Sequence, residues 1–143
     1  MTSKYYVDTC IYLNLWQRKV DQKTGLKFWK VARDFLQNAE NTDSVFLFSG
    51  FVLKEMSYIL GDRFDGKKNL FLDKERFEKV FAMPRDYEFA RELEKKFNGE
   101  ISFFDCMHIV LTKKEDAILI TRDEKLIKYA RKYCKVHKSE ELL

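Results

Sequence analysis

Four carboxylates stand at the ends of, or inside, apolar segments of this 143-residue chain. Asp8 closes Tyr5-Tyr6-Val7-Asp8, and Asp105 follows Ile101-Ser102-Phe103-Phe104. Asp123 follows Ile118-Leu119-Ile120-Thr121-Arg122, and Glu55 lies within Phe51-Val52-Leu53-Lys54-Glu55-Met56. Carboxylates brought together repel one another, so a cluster of them calls for a cation. Hard oxygen donors without a Cys/His cluster suit Mg²⁺ or Mn²⁺.

Each Asp also has a purely structural role open to it. Asp8 and Asp123 can cap the helices that follow them, since Asp is a preferred N-cap. Ser102-Phe103-Phe104-Asp105 has the form of a capping box. Glu55 is too deep in its helix to cap. Its same-face neighbours are Phe51, Val52 and Ile59, and an unpaired carboxylate in such surroundings is costly.

His108 follows Asp105 by three residues, so the two share a helix face. It suits contact with a substrate phosphate, support of the acids, or a partly buried polar position. His137 carries no signal. Cys10, Cys106 and Cys134 have no metal-type spacing and read as reduced thiols without a role. There is no GxGxxG and no Walker A loop.

The elements that must position these residues follow from periodicity. A buried strand is predicted over 5–7, leading into a helix to about Trp16, with a loop over 20–25. Phe28, Val31, Ala32, Phe35, Leu36 and Ala39 recur at helical steps. The apolar run over 45–48 reads as a strand covered on both faces. Ser49 can cap a helix over 50–60, which residues 61–66 break. Residues 73–78 look helical, and 79–83 fit either a helix or a short strand before Pro84. Helices over 86–97, 103–114 and 124–133 alternate with a strand over 117–121 and an edge strand over 134–136. This alternation predicts an α/β fold: a three-layer α/β/α sandwich around a central, mostly parallel sheet, as one domain spanning 1–143. In such sheets ligands bind beyond the carboxyl ends of the strands, where Asp8 and Asp123 fall.

Composition sets the outer bounds. Hydrophobic residues at 45% and charged residues at 35% exclude disorder. No apolar run approaches the ~20 residues that span a bilayer, and no signal-peptide core follows Met1. These point to a cytoplasmic protein without a membrane partner. Net charge is +4, so with four acids set aside the rest carries +8. A basic surround with an acidic pocket suits a polyanionic substrate. Arg85, Lys113, Lys114, Arg122 and Lys125 flank the acid-bearing segments and are the candidates for backbone contact.

Taken in order, Val7-Asp8-Thr9, Ser49 with Glu55, Asp105 with His108, and Ile120-Thr121-Arg122-Asp123 resemble the PIN domain, and the chain length resembles VapC-like toxins. The resemblance covers nearly the whole chain; the Asp-x-x-His helix followed by Ile-Thr-x-Asp is its most specific part. It implies Mg²⁺- or Mn²⁺-dependent cleavage of RNA by a metal site of Asp8, Glu55, Asp105 and Asp123. Thr9 or Thr121 would assist, and His108 is accessory. It also raises an antitoxin protein as a partner. A homodimer is expected from the resemblance and from Phe64, Leu70, Phe71 and Leu72, more apolar surface than a small domain buries alone.

Two rivals come from other classes. A phospho-accepting receiver-like module needs paired acids after its first strand, and Asp8 stands alone. A PIN-like RNA-binding or interaction scaffold without catalysis has no need of a complete set of acids.

Overall fold

The structure, a computed structural model, describes residues 3–143. Its centre is a five-stranded sheet in the order β3-β2-β1-β4-β5, parallel throughout. The strands are β1 Ser3–Val7, β2 Ser44–Phe48, β3 Phe77–Lys79, β4 Ile118–Ile120 and β5 Lys135–His137. The helices are α1 Thr9–Trp16, α2 Phe28–Glu40, α3 Gly50–Leu60, α4 Phe64–Lys67, α5 Pro84–Lys96, α6 Phe103–Lys114 and α7 Glu124–Ala130. Helix α1 packs on α2, and α5 packs on α6, giving the three-layer sandwich expected from the alternation.

Strand β1 is central, with Tyr6 opposite Leu47 on one side and Leu119 on the other. From β1 the chain winds outward to β2 and β3, then returns across the sheet to β4 and β5. The winding therefore reverses between β1 and β4, the position at which an open α/β sheet leaves a crevice. Burial of Tyr6, Val7, Phe46, Leu47, Leu119 and Ile120 on both sheet faces explains why these strands read as continuous apolar runs.

Several elements differ from the sequence reading. Residues 73–78 do not form a helix. Asp73 Oδ1 accepts from Glu75 N at 3.2 Å, as in an Asx turn, and the chain then enters β3. Phe77 there packs on Phe46 and Phe71 at ring separations of 5.4 and 5.2 Å, so pairing and burial override local helical pattern. Residues 80–83 follow β3 without regular structure, and Pro84 begins α5 instead of ending an element, the first-turn position that tolerates its missing N–H. Gly61, at φ 54°, does terminate α3. Short helical turns nevertheless follow at once, through α4 to Leu72. Helix α7 stops at Ala130, three residues earlier than expected, and β5 lies one residue later.

Candidate functional site

Asp8, Thr9, Glu55, Asp105 and Asp123 line one cleft of about 240 Å³, together with Cys10, Leu13, Ile59 and Ser102. Strand pairing delivers Asp8. Its backbone N–H donates to Ile120 O at 2.9 Å, one residue beyond the β1–β4 ladder. Asp8 precedes α1, but its side chain does not cap it. Oδ2 instead accepts from Thr121 Oγ1 at 2.7 Å and from Cys10 Sγ at 3.3 Å. Oδ1 is left 3.8 Å from His108 Nε2.

Glu55 does not face the apolar core. Its side chain is 25% exposed, and Oε1 accepts from Thr9 Oγ1 at 3.0 Å. The same oxygen lies 2.7 Å from His108 Nε2. His108 is fully buried, and its Nδ1 lies 2.7 Å from the Tyr6 hydroxyl. That hydroxyl lies 2.6 Å from Ser49 Oγ. A line of polar groups thus runs from Ser49, just beyond β2, through β1 and α6 to the carboxylate on α3. Asp8, Glu55 and His108 each offer a donor atom within 4.8 Å of the others. Both imidazole nitrogens already have protein partners, so the ring holds Glu55 in place.

Asp105 sits in the first turn of α6, where its N–H donates to Ser102 Oγ at 3.1 Å. Ser102 is therefore the cap, and the Asp105 carboxylate accepts no hydrogen bond among the described residues. Asp123 is a true cap: Oδ1 accepts from Lys125 N at 3.0 Å and Leu126 N at 3.2 Å. Its own N–H donates to Thr121 Oγ1 at 3.1 Å. Thr121 therefore ties Asp8 and Asp123 to the end of β4. One oxygen of Asp8, of Glu55 and of Asp123 is taken by hydrogen bonds within the fold, and the other accepts none among the described residues.

The electrostatics match this crowding. Partial burial, then the charges of Asp8, Asp123 and Glu55, push the Asp105 carboxyl up to about 6, against the pull of His108. Burial also raises Asp8, although His108 and the Thr121 hydrogen bond oppose it. Burial works against a charge on His108, but the bond to Glu55 and the charges of Asp8 and Asp105 outweigh it and raise its pKa. Burial and Asp8 keep the Cys10 thiol protonated, which suits its role as donor to Asp8. The donor set is all carboxylate, and so fits a hard divalent cation.

The basic candidates lie elsewhere. Lys113 and Lys114 are at the far end of α6, about 12 Å along its axis from Asp105. Lys114 Nζ bonds Asp86 Oδ2 at 2.8 Å and Phe81 O at 3.0 Å. Lys113 lies over the Phe89 ring. Arg122 is paired with Glu140 and lies 4.1 Å from the Phe28 ring. None of the three lines the cleft, and helix length and pairing are the reasons. Lys125 pairs with Glu100 at 3.8 Å, and Arg85 lies beside Asp86 in a separate depression.

Tyr6 and Cys10 were not legible as parts of the site, and Ser49 stands only in the family resemblance, beside Glu55. Tyr6 reads as a strand residue, and Ser49 as a cap, which its side chain does not supply. Alternation along β1 places Tyr6 and Asp8 on one side of the sheet, the single sequence signal that could have joined them.

The model of the PIN domain family matches residues 5–132. Solved structures that share the fold include these three. VapBC2 from Rickettsia felis, bound to a DNA fragment from their promoter, matches at TM-score 0.67 and 17% identity, covering 94% of this chain and 98% of that one. VapBC-1 from nontypeable Haemophilus influenzae matches at TM-score 0.66 and 14% identity, covering 96% and 98%. FitAcB from Neisseria gonorrhoeae matches at TM-score 0.63 and 15% identity, covering 95% and 98%. Comparison with curated proteins gave no match.

Proposed function

The chain belongs to the PIN domain family, and from that premise and the geometry of its cleft we propose that it is a metal-dependent ribonuclease. The observation that carries this reading is the convergence of Asp8, Glu55, Asp105 and Asp123 on one cleft beside the reversal in sheet winding. These four residues would hold one or two Mg²⁺ or Mn²⁺ ions. When bound, such ions lower the pKa of water and neutralise charge developing on the phosphodiester oxygens.

The chain's own groups prepare that site. Thr121 and Cys10 orient Asp8, while Thr9 and His108 orient Glu55. Asp123 keeps one oxygen on the α7 amides, so its position is set by the helix. Asp105, whose carboxylate accepts no hydrogen bond among the described residues, has the freedom to adjust. Hydrolysis with water as nucleophile and the 3′-oxygen as leaving group gives a 5′-phosphate and a 3′-hydroxyl and needs no 2′-hydroxyl. A scaffold without catalysis gains nothing from gathering four acids on one cleft.

The likeness in fold to VapBC complexes supports a role as the toxin of a toxin–antitoxin pair, with an antitoxin protein as partner. We assign the protein to the cytoplasm as one domain over 1–143; among the described residues no helix is long and apolar enough to cross a membrane. A homodimer remains part of the proposal on a changed basis. Phe71 belongs to the core, whereas Tyr58, Ile59 and Leu72 are exposed.

The test is cleavage of labelled RNA by purified protein with Mg²⁺ or Mn²⁺, with EDTA, and with Asp8→Asn. Activity that requires the metal and is lost in the variant is expected. Cleavage unchanged by EDTA rules the mechanism out.

A further inference from the structure

Residues 18–30, which connect α1 to α2, hold Arg18, Lys19, Lys23, Lys27 and Lys30 against one acid, Asp21. Of the chain's 27 Lys and Arg and 23 Asp and Glu, 22 of each lie outside this segment, so it carries the whole net charge of +4. The segment is an ordered hairpin. Val20 and Lys27 form an antiparallel bridge, Asp21 N donates to Leu26 O at 2.8 Å, and Trp29 N donates to Lys19 O at 3.2 Å. The guanidiniums of Arg18 and Arg33 lie 5.1 and 5.3 Å from the Trp29 ring centre. The turn consumes the one acid: Asp21 Oδ1 accepts from Lys23 N at 3.0 Å, and Oδ2 from Thr24 Oγ1 at 2.8 Å. All five cations are exposed, and none forms an ion pair among the described residues.

The base of the hairpin stands beside the acidic cleft. Helix α2 ends at Glu40, just before β2 starts at Ser44, so its first residue lies toward the carboxyl ends of the strands, where the cleft opens. That residue, Phe28, follows Lys27, and its ring centre lies 4.1 Å from the guanidinium carbon of Arg122. Arg122 in turn stands between Thr121, which holds Asp8, and Asp123, which lines the cleft.

We propose that the α1–α2 hairpin is a second phosphate-binding site, an arm that grips the phosphodiester backbone of the RNA flank outside the cleft. The proposal rests on the nuclease reading and deepens it. Four acids repel a polyanion until cations fill the cleft, so affinity for the strand must come from a neighbouring surface. Cations carried on an ordered turn bind without the loss of freedom that a loose loop would suffer. Contacts to the backbone fix position and carry no sequence information, so the arm adds affinity and register, and leaves base choice to other groups. Its place beside the cleft favours the strand that enters the cleft over an acidic protein segment.

The experiment reads binding without cleavage, by fluorescence anisotropy of a labelled oligoribonucleotide in EDTA across a series of salt concentrations. Single-stranded DNA of the same sequence is the second probe. The test variant is the triple Lys19→Gln/Lys23→Gln/Lys27→Gln. The control, with equal loss of charge toward the opposite end of the strands, is Lys113→Gln/Lys132→Gln/Lys135→Gln. All six side chains are exposed, and thermal melting checks that both proteins fold. The hairpin triple should lower the slope of log Kd against log salt by about 2, at about 0.7 for each contact to a single strand. It should also bind RNA at least about ten-fold more weakly at low salt. DNA should show the same loss, because the arm reads phosphates, and the control should keep the wild-type slope. Equal losses in the two triples, or a loss on DNA alone, overturns the proposal. So does RNA binding undiminished in the hairpin triple, the outcome for a hairpin that receives an acidic protein segment. Hairpin-dependent RNA binding by a protein that cleaves no RNA with Mn²⁺ would defeat the nuclease reading alone.

Discussion

His108 Nε2 lies 2.7 Å from Glu55 Oε1, and its Nδ1 lies 2.7 Å from the Tyr6 hydroxyl. The imidazole spans the core between a strand and a carboxylate on α3, and both nitrogens are used. Replacing it strands polar groups at both ends. His108→Ala should cost about 1–3 kcal/mol for the groups left unsatisfied, and more for the cavity. Tyr6→Phe leaves Glu55 held but removes the far partner. Its stability loss in urea titration should approach that range, while Mn²⁺ affinity changes less than in His108→Ala. Equal metal affinity in His108→Ala and wild type would show that Glu55 does not depend on the imidazole.

Asp123 has two separable duties. One oxygen caps α7 through Lys125 and Leu126 amides, and the other is free for the cleft. Asn retains a capping oxygen, whereas Ala does not. Asp123→Asn should melt near wild type, and Asp123→Ala should lose about 1 kcal/mol. Both should lose RNA cleavage. If Asp123→Asn cleaves as wild type does, the residue is a cap alone.

The sheet, its helices and the gathering of four acids were legible because they follow local pattern: apolar runs ending in Asp, helical periodicity, and a family resemblance spread along the chain. What escaped depends on distance through space. The contacts Tyr6–Ser49 and Tyr6–His108 link residues 43 and 102 positions apart, which no local pattern encodes. Residues 73–78 read as helical and 79–83 as helix or short strand, whereas β3 spans Phe77–Lys79, because pairing with β2 decides the matter. Lys113 and Lys114 misled for the opposite reason. Closeness to Asp105 along one helix places them at its far end.

Glu55→Gln tests the carboxylate itself. The amide oxygen can still accept from Thr9 and His108, so the shape of the site is kept. A negative charge is lost beside Asp8 and Asp105, which relieves repulsion in the metal-free protein, while the attraction to His108 weakens. These effects oppose each other, so the metal-free melting temperature should move little. Mn²⁺ affinity by calorimetry and RNA cleavage should fall together, each at least ten-fold. Both remaining near wild type would remove Glu55 from the metal site.

The crowding around Asp105 gives metal-free stability a definite dependence on pH. The carboxyl is raised from 3.8 to about 6 in the fold, so the native state binds a proton more tightly than the unfolded chain. Its contribution is fully present below pH ~4, near the ordinary Asp pKa, and is lost as pH rises through about 6. The raised Asp8 adds in the same direction. Metal-free wild type should therefore lose melting temperature between about pH 4 and 6 relative to Asp105→Asn, which carries no titrating group there. At pH 8 the variant should melt higher than wild type. Mn²⁺ affinity should rise through the same window, because the cation competes with the proton for the carboxylates. Parallel melting curves for the two proteins from pH 4 to pH 8 would mean that Asp105 does not share its charge with Asp8, Glu55 and Asp123, and the four-carboxylate site would lose its electrostatic support.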